Sequence, residues 1–146
     1  VRAFQGSASD FEDLSAGFGN VVFGGAFSVA FTARWDSLQK WSRIIDFGNG
    51  PDDCNVFVAN RGQTRTLAFH VRVGAQELSV HAPDAIQLGQ THRYLCSVTS
   101  TGHMRVYVDG RMISENLKGA PLSCGRRRFL YVGRSNWDRD APFHGM

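Results

Sequence analysis

Apolar and polar residues alternate in short stretches along this chain, and this alternation predicts β-strands. In residues 27–34 and 66–73, for example, apolar side chains occupy every second position. That period suits a strand with one buried and one solvated face. The pattern predicts strands near 27–34, 42–47, 55–60, 66–73, 77–82, 93–100, 103–109 and 129–133. It allows no more helix than a single turn, near 9–15 or 114–118.

Turn signals separate the predicted strands at regular intervals. Thr101-Gly102 and Asp109-Gly110 suit tight hairpins, because such turns need residues that tolerate positive φ angles. Residues 93–113 are therefore predicted to form a meander of antiparallel strands. Short strands separated by frequent turns are typical of a β-sandwich or a β-barrel.

Length and composition indicate one globular domain, residues 1–146. The chain has 146 residues, 42% of them hydrophobic and 20% charged, which excludes wholesale disorder. No stretch approaches the ~18 consecutive apolar residues of a membrane span. No basic and apolar leader precedes the first strand, although the chain starts at Val1 and a leader could have been removed.

Positive charge is concentrated in the second part of the chain. The net charge is +3, and of the 16 basic residues 14 are arginines. Residues 1–60 carry 4 basic and 7 acidic side chains, whereas residues 61–146 carry 12 and 6. Arginine suits planar anions, but no basic stripe interleaved with stacking aromatics occurs, so nucleic acid is not an expected partner.

Three segments in order resemble laminin G-like domains. These are FSVAFTARWD…SRIIDFGNG, then THRYLCSVTSTGHMRVYVDGRMIS, then FLYVGRSNWDRDAPFHG. Together they extend over about residues 20–145. The resemblance implies an all-β fold of the concanavalin A-like type, in which two antiparallel sheets form a jelly-roll sandwich.

Two features of the chain depart from that family. His92 lies near the place of a tryptophan that usually opens the hairpin, and the family's final strand is apparently missing after Gly145. An incomplete sheet exposes unpaired backbone groups. Val1–Phe11, residues beyond Met146 or a partner's strand could fill the gap. We therefore expect the domain to be part of a longer chain or of an assembly.

Catalysis is not expected. Glycosidases on this fold need two carboxylates at close range, and the only three glutamates, Glu12, Glu77 and Glu115, lack the necessary spacing. Asp46 lies on a predicted strand without a carboxylate partner. No nucleophile motif, phosphate loop or metal-ligand cluster occurs, so catalytic residues and cofactors are predicted to be none.

Calcium is disfavoured, although Asp52, Asp53 and Asn55 are weak candidate ligands. The resemblance places a ligand of calcium-binding members near Asn55, and a second acidic ligand in the loop before the strand at 129–133. In this chain that loop is Gly-Arg-Arg-Arg, residues 125–128. Guanidinium groups repel Ca²⁺.

The three cysteines are Cys54, Cys96 and Cys124. The alignment with the family brings Cys54 near Cys124, so they could form a disulfide in an oxidising compartment, contributing roughly 4 kcal/mol in the chain-entropy model. Cys96 alternates with strand residues and is expected to be a buried apolar side chain.

The candidate contact residues are a tryptophan and the arginines near it. Trp137 lies in the predicted loop 134–143, and exposed tryptophans stack on sugars or anchor proteins. Trp35 and Trp41 flank strands and are weaker candidates. The arginines are Arg126, Arg127, Arg128, Arg134 and Arg139.

The sequence favours a non-catalytic module that binds a neutral or anionic glycan, or a protein partner, through its edge loops. The alternative is a structural accessory subunit without a diffusible ligand, docked in a multi-chain and perhaps membrane-associated assembly. The compartment is unknown, with secretory, extracellular or organelle-lumenal locations favoured over the cytoplasm. The fold does not decide between these functions.

Overall fold

The computed structural model describes residues 1–18, 22–123 and 125–146. In chain order the elements are β1 Phe4–Gln5, β2 Glu12–Asp13, α1 Ser15–Phe18, β3 Phe27–Ala33, β4 Arg43–Gly48, β5 Val56–Asn60, β6 Leu67–Val73, β7 Gln76–Ala82, β8 His92–Val98, β9 Met104–Val108, β10 Arg111–Asn116, β11 Phe129–Val132 and β12 His144–Gly145. The predicted all-β class is confirmed.

Two antiparallel sheets contain most of the strands. The larger has six strands in the order β2-β11-β4-β5-β6-β7, and the smaller has four in the order β10-β9-β8-β3. The short strands β1 and β12 form a separate pair. The predicted jelly-roll sandwich is confirmed, and each of the eight predicted strand regions contains a strand.

The core lies between the inner faces of the two sheets. In β3 the side chains of Phe27, Val29, Phe31 and Ala33 are less exposed than those between them, as the alternation predicts. Their sheet meets inner-face residues of the larger sheet, including Phe69, which is fully buried. Burial of such a side chain stabilises the fold by about 1.5–3 kcal/mol.

Strand β6 differs from simple alternation because both of its faces are covered. Residues 67–71 are all buried, including Ala68 and His70, which point away from the core. The His70 ring stacks on Phe57 at 4.6 Å between centroids and meets Trp41 edge-on at 5.8 Å. The outer face of the larger sheet therefore carries its own layer of packed side chains.

Two local predictions differ from the structure. Residues 111–116 form β10, whereas a helical turn near 114–118 was one of the two allowed by the pattern. The Asp109-Gly110 turn returns the chain beside β9, where backbone pairing outweighs the weak alternation of RMISEN. The helical turn lies instead at Ser15–Phe18, just after the other predicted segment.

The smaller sheet ends at β3, whose partner in that sheet is β8. Beyond β3, Arg34 and Met146 exchange backbone hydrogen bonds of 2.7 and 2.9 Å. The N-terminal segment contributes only the short strand β1, which pairs with β12. The need for a further strand stays a prediction. Sedimentation and urea unfolding of residues 1–146 test it, since a stable, cooperative monomer would contradict it.

Candidate functional site

A groove of about 450 Å³ opens on the outer face of the six-stranded sheet. It is lined by aromatic and charged side chains from β4, β5, β6, β7 and the loops around them. The lining residues are Lys40, Trp41, Arg43, Asp52, Phe57, His70, Arg72, Glu77, Trp137, Arg139 and Asp140. These residues come from four separate parts of the sequence.

Strand pairing places the floor of the groove. Asp46 of β4 lies opposite Phe57 of β5, which lies opposite His70 of β6. Directly paired residues in antiparallel strands point to the same side of the sheet. The row from Asp46 through Phe57 to His70 therefore crosses the outer face, and the loop at 134–143 covers one end of it.

Arg43 holds this loop to the sheet. Its guanidinium donates hydrogen bonds to the Asp140 carboxylate at 2.7 Å, to the Trp41 carbonyl at 2.7 Å and to Asp46 at 3.3 Å. It also lies 4.0 Å from the centroid of the Phe57 ring and 5.4 Å from that of Trp137. Only 3% of Arg43 is exposed. Its charge is neutralised inside the protein by the carboxylates of Asp46 and Asp140.

Asp46 is the centre of a buried polar network. Its carboxylate accepts hydrogen bonds from the Asn136 backbone at 2.9 Å and side chain at 2.8 Å, and from Asn55 at 3.1 Å. Burial raises the pKa of Asp46, while the Arg43 guanidinium and the Asn136 hydrogen bonds act in the opposite direction. These bonds fix the loop at 134–143 against β4.

The expectation that Asp46 has no carboxylate partner is wrong. Asp46 and Asp140 both bind the Arg43 guanidinium, and the Ser135 hydroxyl lies 3.4 Å from Asp46 and 3.1 Å from Asp140. Chain folding brings the two carboxylates together across 94 residues of sequence. Asp46 is fully buried, and the side chain of Asp140 is 8% exposed. Both are therefore committed to internal contacts.

Two partly exposed tryptophans border the groove. Trp137 meets the Phe57 ring edge-on, with centroids 5.7 Å apart, and its backbone is held by the Ser135 hydroxyl at 3.0 Å. Trp41 has a positive φ of 52° and is fixed by a 2.8 Å backbone hydrogen bond to Gly62. Each ring therefore combines a fixed backbone with a partly solvated face.

The charged side chains at the rim are largely paired with one another. Arg72 contacts Asp52 at 2.6 Å and Glu77 at 3.4 Å. Lys40 and Arg139 are exposed and make no ion pair with any described residue. The groove consequently offers oriented donors and acceptors with little excess charge.

A hydrogen-bonded chain runs from Glu77 through His70 to His81. His70 Nδ1 lies 2.8 Å from a Glu77 carboxylate oxygen, and the Nε2 atoms of His70 and His81 lie 3.0 Å apart. The His70 hydrogen bond lowers the pKa of Glu77 despite partial burial. Burial is the main cause that lowers the pKa of His81, and the nearby His70 and Arg61 act in the same direction.

The lowered pKa of His81 predicts a loss of stability in mild acid. The unfolded chain takes up a proton at His81 near pH 6.5, before the folded protein does. As the pH decreases from 6.5 to the lower folded pKa, the free energy of unfolding should decrease too. The decrease should be no more than about 1.4 kcal/mol per pH unit. Urea unfolding at pH 7.5, 6.5 and 5.5 measures this. His81→Asn should flatten the curve, and an unchanged curve would contradict the assignment.

The structure separates the predicted contact residues. Trp137 and Arg139 lie in the groove, whereas the Arg134 guanidinium packs over Phe11 and Tyr131, 4.6 and 5.2 Å from their ring centroids. Arg126 and Arg128 are exposed beside a second cavity of about 660 Å³, which Asn49 and Asp53 also line. The predicted edge-loop residues therefore do not form one site.

Arg127 does not suit the predicted contact role, because it is only 3% exposed. Its guanidinium donates hydrogen bonds to the carbonyl oxygens of Cys54 at 2.9 Å and Phe23 at 2.6 Å. It also lies 4.5 Å from the centroid of the Phe23 ring. Arg127 therefore bridges the 52–55 loop and the 125–128 loop from inside the protein.

Two of the three candidate calcium ligands, Asn55 and Asp52, make internal side-chain contacts. Asn55 is fully buried; its amide donates to Gly50 and Asp46, and its carbonyl accepts from the Asp53 backbone at 2.9 Å. Asp52 pairs with Arg72. Across residues 1–18, 22–123 and 125–146, no group of three or more His, Cys, Asp or Glu side chains could hold a metal ion. The exclusion of calcium stays a prediction.

We expect millimolar Ca²⁺ to leave the melting temperature of the protein unchanged. The Arg127 guanidinium already supplies a positive charge to the carbonyl oxygens at this position, and it would repel a second cation. Thermal unfolding with Ca²⁺ and with EGTA measures the effect. A stabilisation by Ca²⁺ that Asp53→Ala removes would contradict this account.

The predicted disulfide between Cys54 and Cys124 stays a prediction, because Cys124 lies outside the described residues. Cys54 is partly buried, and burial is the main cause that raises the pKa of its thiol. Cys96 is fully buried, as expected, and its burial also raises its thiol pKa. Thiol counting by mass spectrometry under denaturing, non-reducing conditions tests the pairing.

Most of the groove residues are not apparent from the sequence alone. His70 and Arg72 alternate with the apolar residues of the segment 66–73, and this outward phase is the signal in the sequence that points to this face. The contribution of Asp140 could not be found from spacing, because it depends on where the loop at 134–143 crosses the sheet. Trp35, a weak candidate, is fully buried in the core.

The family comparison agrees with this architecture. A laminin G-type family model, described as the concanavalin A-like lectin/glucanases superfamily, matches residues 9–146. The chain belongs to this superfamily. A comparison with curated protein sequences finds no significant match.

Solved structures with the same fold include domains from different settings. The mouse laminin α1 fragment LG4-5 has 16% sequence identity and a TM-score of 0.73, with 98% of this chain and 38% of that chain covered. The CBM40 domain of the Ruminococcus gnavus IT-sialidase, solved with α2,3 sialyllactose, has 14% identity and a TM-score of 0.76, with 99% and 83% covered. A pentraxin from Limulus polyphemus has 16% identity and a TM-score of 0.60, with 98% and 70% covered.

These similarities establish the fold of this chain. This chain spans less than two fifths of the laminin fragment, 38% of its length. Within the described parts of the chain, no helix has the length and apolarity needed to cross a bilayer.

Proposed function

We propose that this chain is a non-catalytic glycan-binding module, and that its ligand occupies the groove on the outer face of the six-stranded sheet. One observation carries the proposal: partly exposed Trp41 and Trp137 border a floor of fixed, hydrogen-bonded charged groups. Aromatic faces pack on the C–H faces of sugar rings, and oriented polar groups select the hydroxyls. The R. gnavus CBM40 structure, solved with a sialylated sugar, supports the proposal by analogy.

The balance of charge favours a neutral or singly acidic saccharide over a heavily sulfated one. Arg72 is paired with Asp52 and Glu77, and Arg43 with Asp46 and Asp140. Lys40 and Arg139 are the exposed cations that could meet a single carboxylate. Specificity would then come mainly from geometry, and affinity should depend only weakly on salt.

The buried position of the carboxylates supports a non-catalytic role. A glycosidase needs one carboxyl group to protonate the leaving oxygen and another to act as nucleophile or base. Asp46 is fully buried and accepts hydrogen bonds from Arg43, Asn55 and Asn136. We propose that Asp46 and Asp140 position the loop at 134–143.

We also propose a location outside the cytosol, which would give the module access to glycans.

A protein-docking role is the second candidate, and the edge strand β10 favours it. Met112, Ile113 and Leu117 are exposed by 49%, 45% and 70% at or just after this strand. Exposed apolar residues on an edge strand suit pairing with another chain. In this case the protein would be an accessory subunit of an assembly and would need no diffusible ligand.

A glycan array tests the first candidate. Labelled wild-type protein should bind a restricted set of glycans, and Trp137→Ala should lose that binding. The double variant Arg126→Ala/Arg128→Ala is the matched control, because it changes exposed residues at the separate cavity. No glycan binding by the wild type, or loss in the control alone, would reject the groove as the ligand site.

A further inference from the structure

We propose that His70 and His81 form a binding site for a divalent first-row transition metal, with Cu²⁺ and Ni²⁺ preferred over Zn²⁺. The site lies on the outer face of the larger sheet, at one side of the groove. It shares His70 with the proposed glycan groove but does not rest on glycan binding. His70 lines the groove and His81 lies beyond it, so the two functions can be tested separately.

Strand pairing brings the two imidazoles together. His70 of β6 is paired with Ser79, and Ala68 with His81, so the histidines are diagonal neighbours on one side of two adjacent strands. Their Nε2 atoms lie 3.0 Å apart. With the ring centroids 5.2 Å apart, the two nitrogens point almost directly at each other and share one proton. Both rings must tilt for their lone pairs to converge on one metal ion.

Glu77 orients the first imidazole as metal sites require. Its carboxylate lies 2.8 Å from His70 Nδ1, so it accepts the Nδ1 proton and leaves Nε2 as a lone-pair donor. A ligating histidine almost always donates its second ring N–H to a carboxylate, carbonyl or water. Stacking on Phe57, at 4.6 Å between centroids, fixes the plane of the ring.

The nitrogen separation determines which metals suit the site. With metal–nitrogen bonds of about 2.05 Å, a 3.0 Å separation gives a nitrogen–metal–nitrogen angle of about 94°. This is close to the right angle of tetragonal Cu²⁺ or Ni²⁺ and well below the tetrahedral angle of Zn²⁺. The affinity order for divalent metals also places Cu²⁺ first.

Binding requires a change of tautomer and a tilt of both rings toward the metal. While the site is empty, one histidine donates its Nε2 proton to the other. When the metal binds, His81 carries its proton on Nδ1 and both Nε2 atoms become ligands. No third His, Cys, Asp or Glu of the described residues completes the set. Water would supply the other positions, while Arg61 and Arg72 nearby limit the affinity by repulsion.

The test is calorimetric titration of the intact chain with CuCl₂ and with NiCl₂ at pH 7.5. We expect one site that His81→Asn abolishes and that Glu77→Gln weakens about 10–100-fold. His92→Asn is the matched control, because His92 also bonds a carboxylate, that of Asp109 at 2.7 Å, but pairs with no second histidine. This variant should bind as tightly as the wild type.

Electron paramagnetic resonance of the Cu²⁺-loaded protein gives an independent measurement. We expect a tetragonal signal with hyperfine structure from two imidazole nitrogens, reduced to at most one in His81→Asn. Unchanged binding in both His81→Asn and Glu77→Gln would overturn the proposal. So would a wild-type titration with no saturable site, which would leave the histidines as a hydrogen-bonded pair only.

Discussion

Arg43→Met should destabilise the fold by about 3–5 kcal/mol, the usual cost of removing one partner from a buried ion pair. The variant keeps most of the volume beside Phe57 but leaves the Asp46 and Asp140 carboxylates without their shared cation. Asp46 is fully buried, so water cannot replace the lost contacts. Chemical denaturation at pH 7.5 measures the loss.

Two comparisons identify the cause of that loss. Asp140→Asn keeps Arg43 paired with Asp46 and an oxygen at position 140, so it should cost no more than about 1.5 kcal/mol. Burial already raises the folded pKa of Asp46 above the unfolded value of 3.8, and removing the Arg43 counter-ion in Arg43→Met raises it further. The stability difference between Arg43→Met and the wild type should therefore shrink as the pH falls from 7.5 toward 5. Equal costs for both variants would contradict this view of Arg43.

Trp137→Ala should weaken glycan binding by about 30-fold or more. Truncation of a central tryptophan in a binding site typically costs at least about 2 kcal/mol, and about 1.4 kcal/mol corresponds to tenfold in affinity. Trp137 lies at the groove and contacts Phe57 and Arg43, so its ring also shapes the surface beside it. Calorimetric titration with the strongest array ligand measures the change.

The control for this result must separate affinity from folding. Trp137→Phe keeps an aromatic face and should retain part of the affinity, whereas alanine should not. The melting temperatures of the two variants show whether the loop at 134–143 stays in place. Alanine and phenylalanine variants that both bind like the wild type would remove Trp137 from the ligand site.

The fold could be predicted from the sequence because its main strands are encoded locally. The alternation in β3 and the turn at Asp109-Gly110 each depend only on residues that are adjacent in the sequence. Strand β10 was missed because it follows the turn with the polar segment Ser114–Asn116, whose position is set by pairing with β9. Pairing between strands is a tertiary effect that no local pattern reports.

The site was harder to predict because its residues converge only in the folded chain. Arg43 and Asp46 lie close in sequence, but Asp140 reaches them only when the loop at 134–143 crosses β4. The run Arg126–Arg128 is conspicuous by its charge, yet its middle residue is buried and the other two are exposed. The charge of this run is therefore a weaker indication of the candidate site than the outward-facing positions of β6.

Amide chemical-shift mapping with the strongest array ligand tests most directly whether the groove is the binding site. In ¹⁵N-labelled protein, the account predicts the largest shifts around Trp41, His70, Arg72 and Trp137, and in the Trp137 indole N–H. Residues Asn49, Asp53 and Arg126, at the separate cavity, should change little. The largest shifts around these three residues, with an unperturbed groove, would contradict the account.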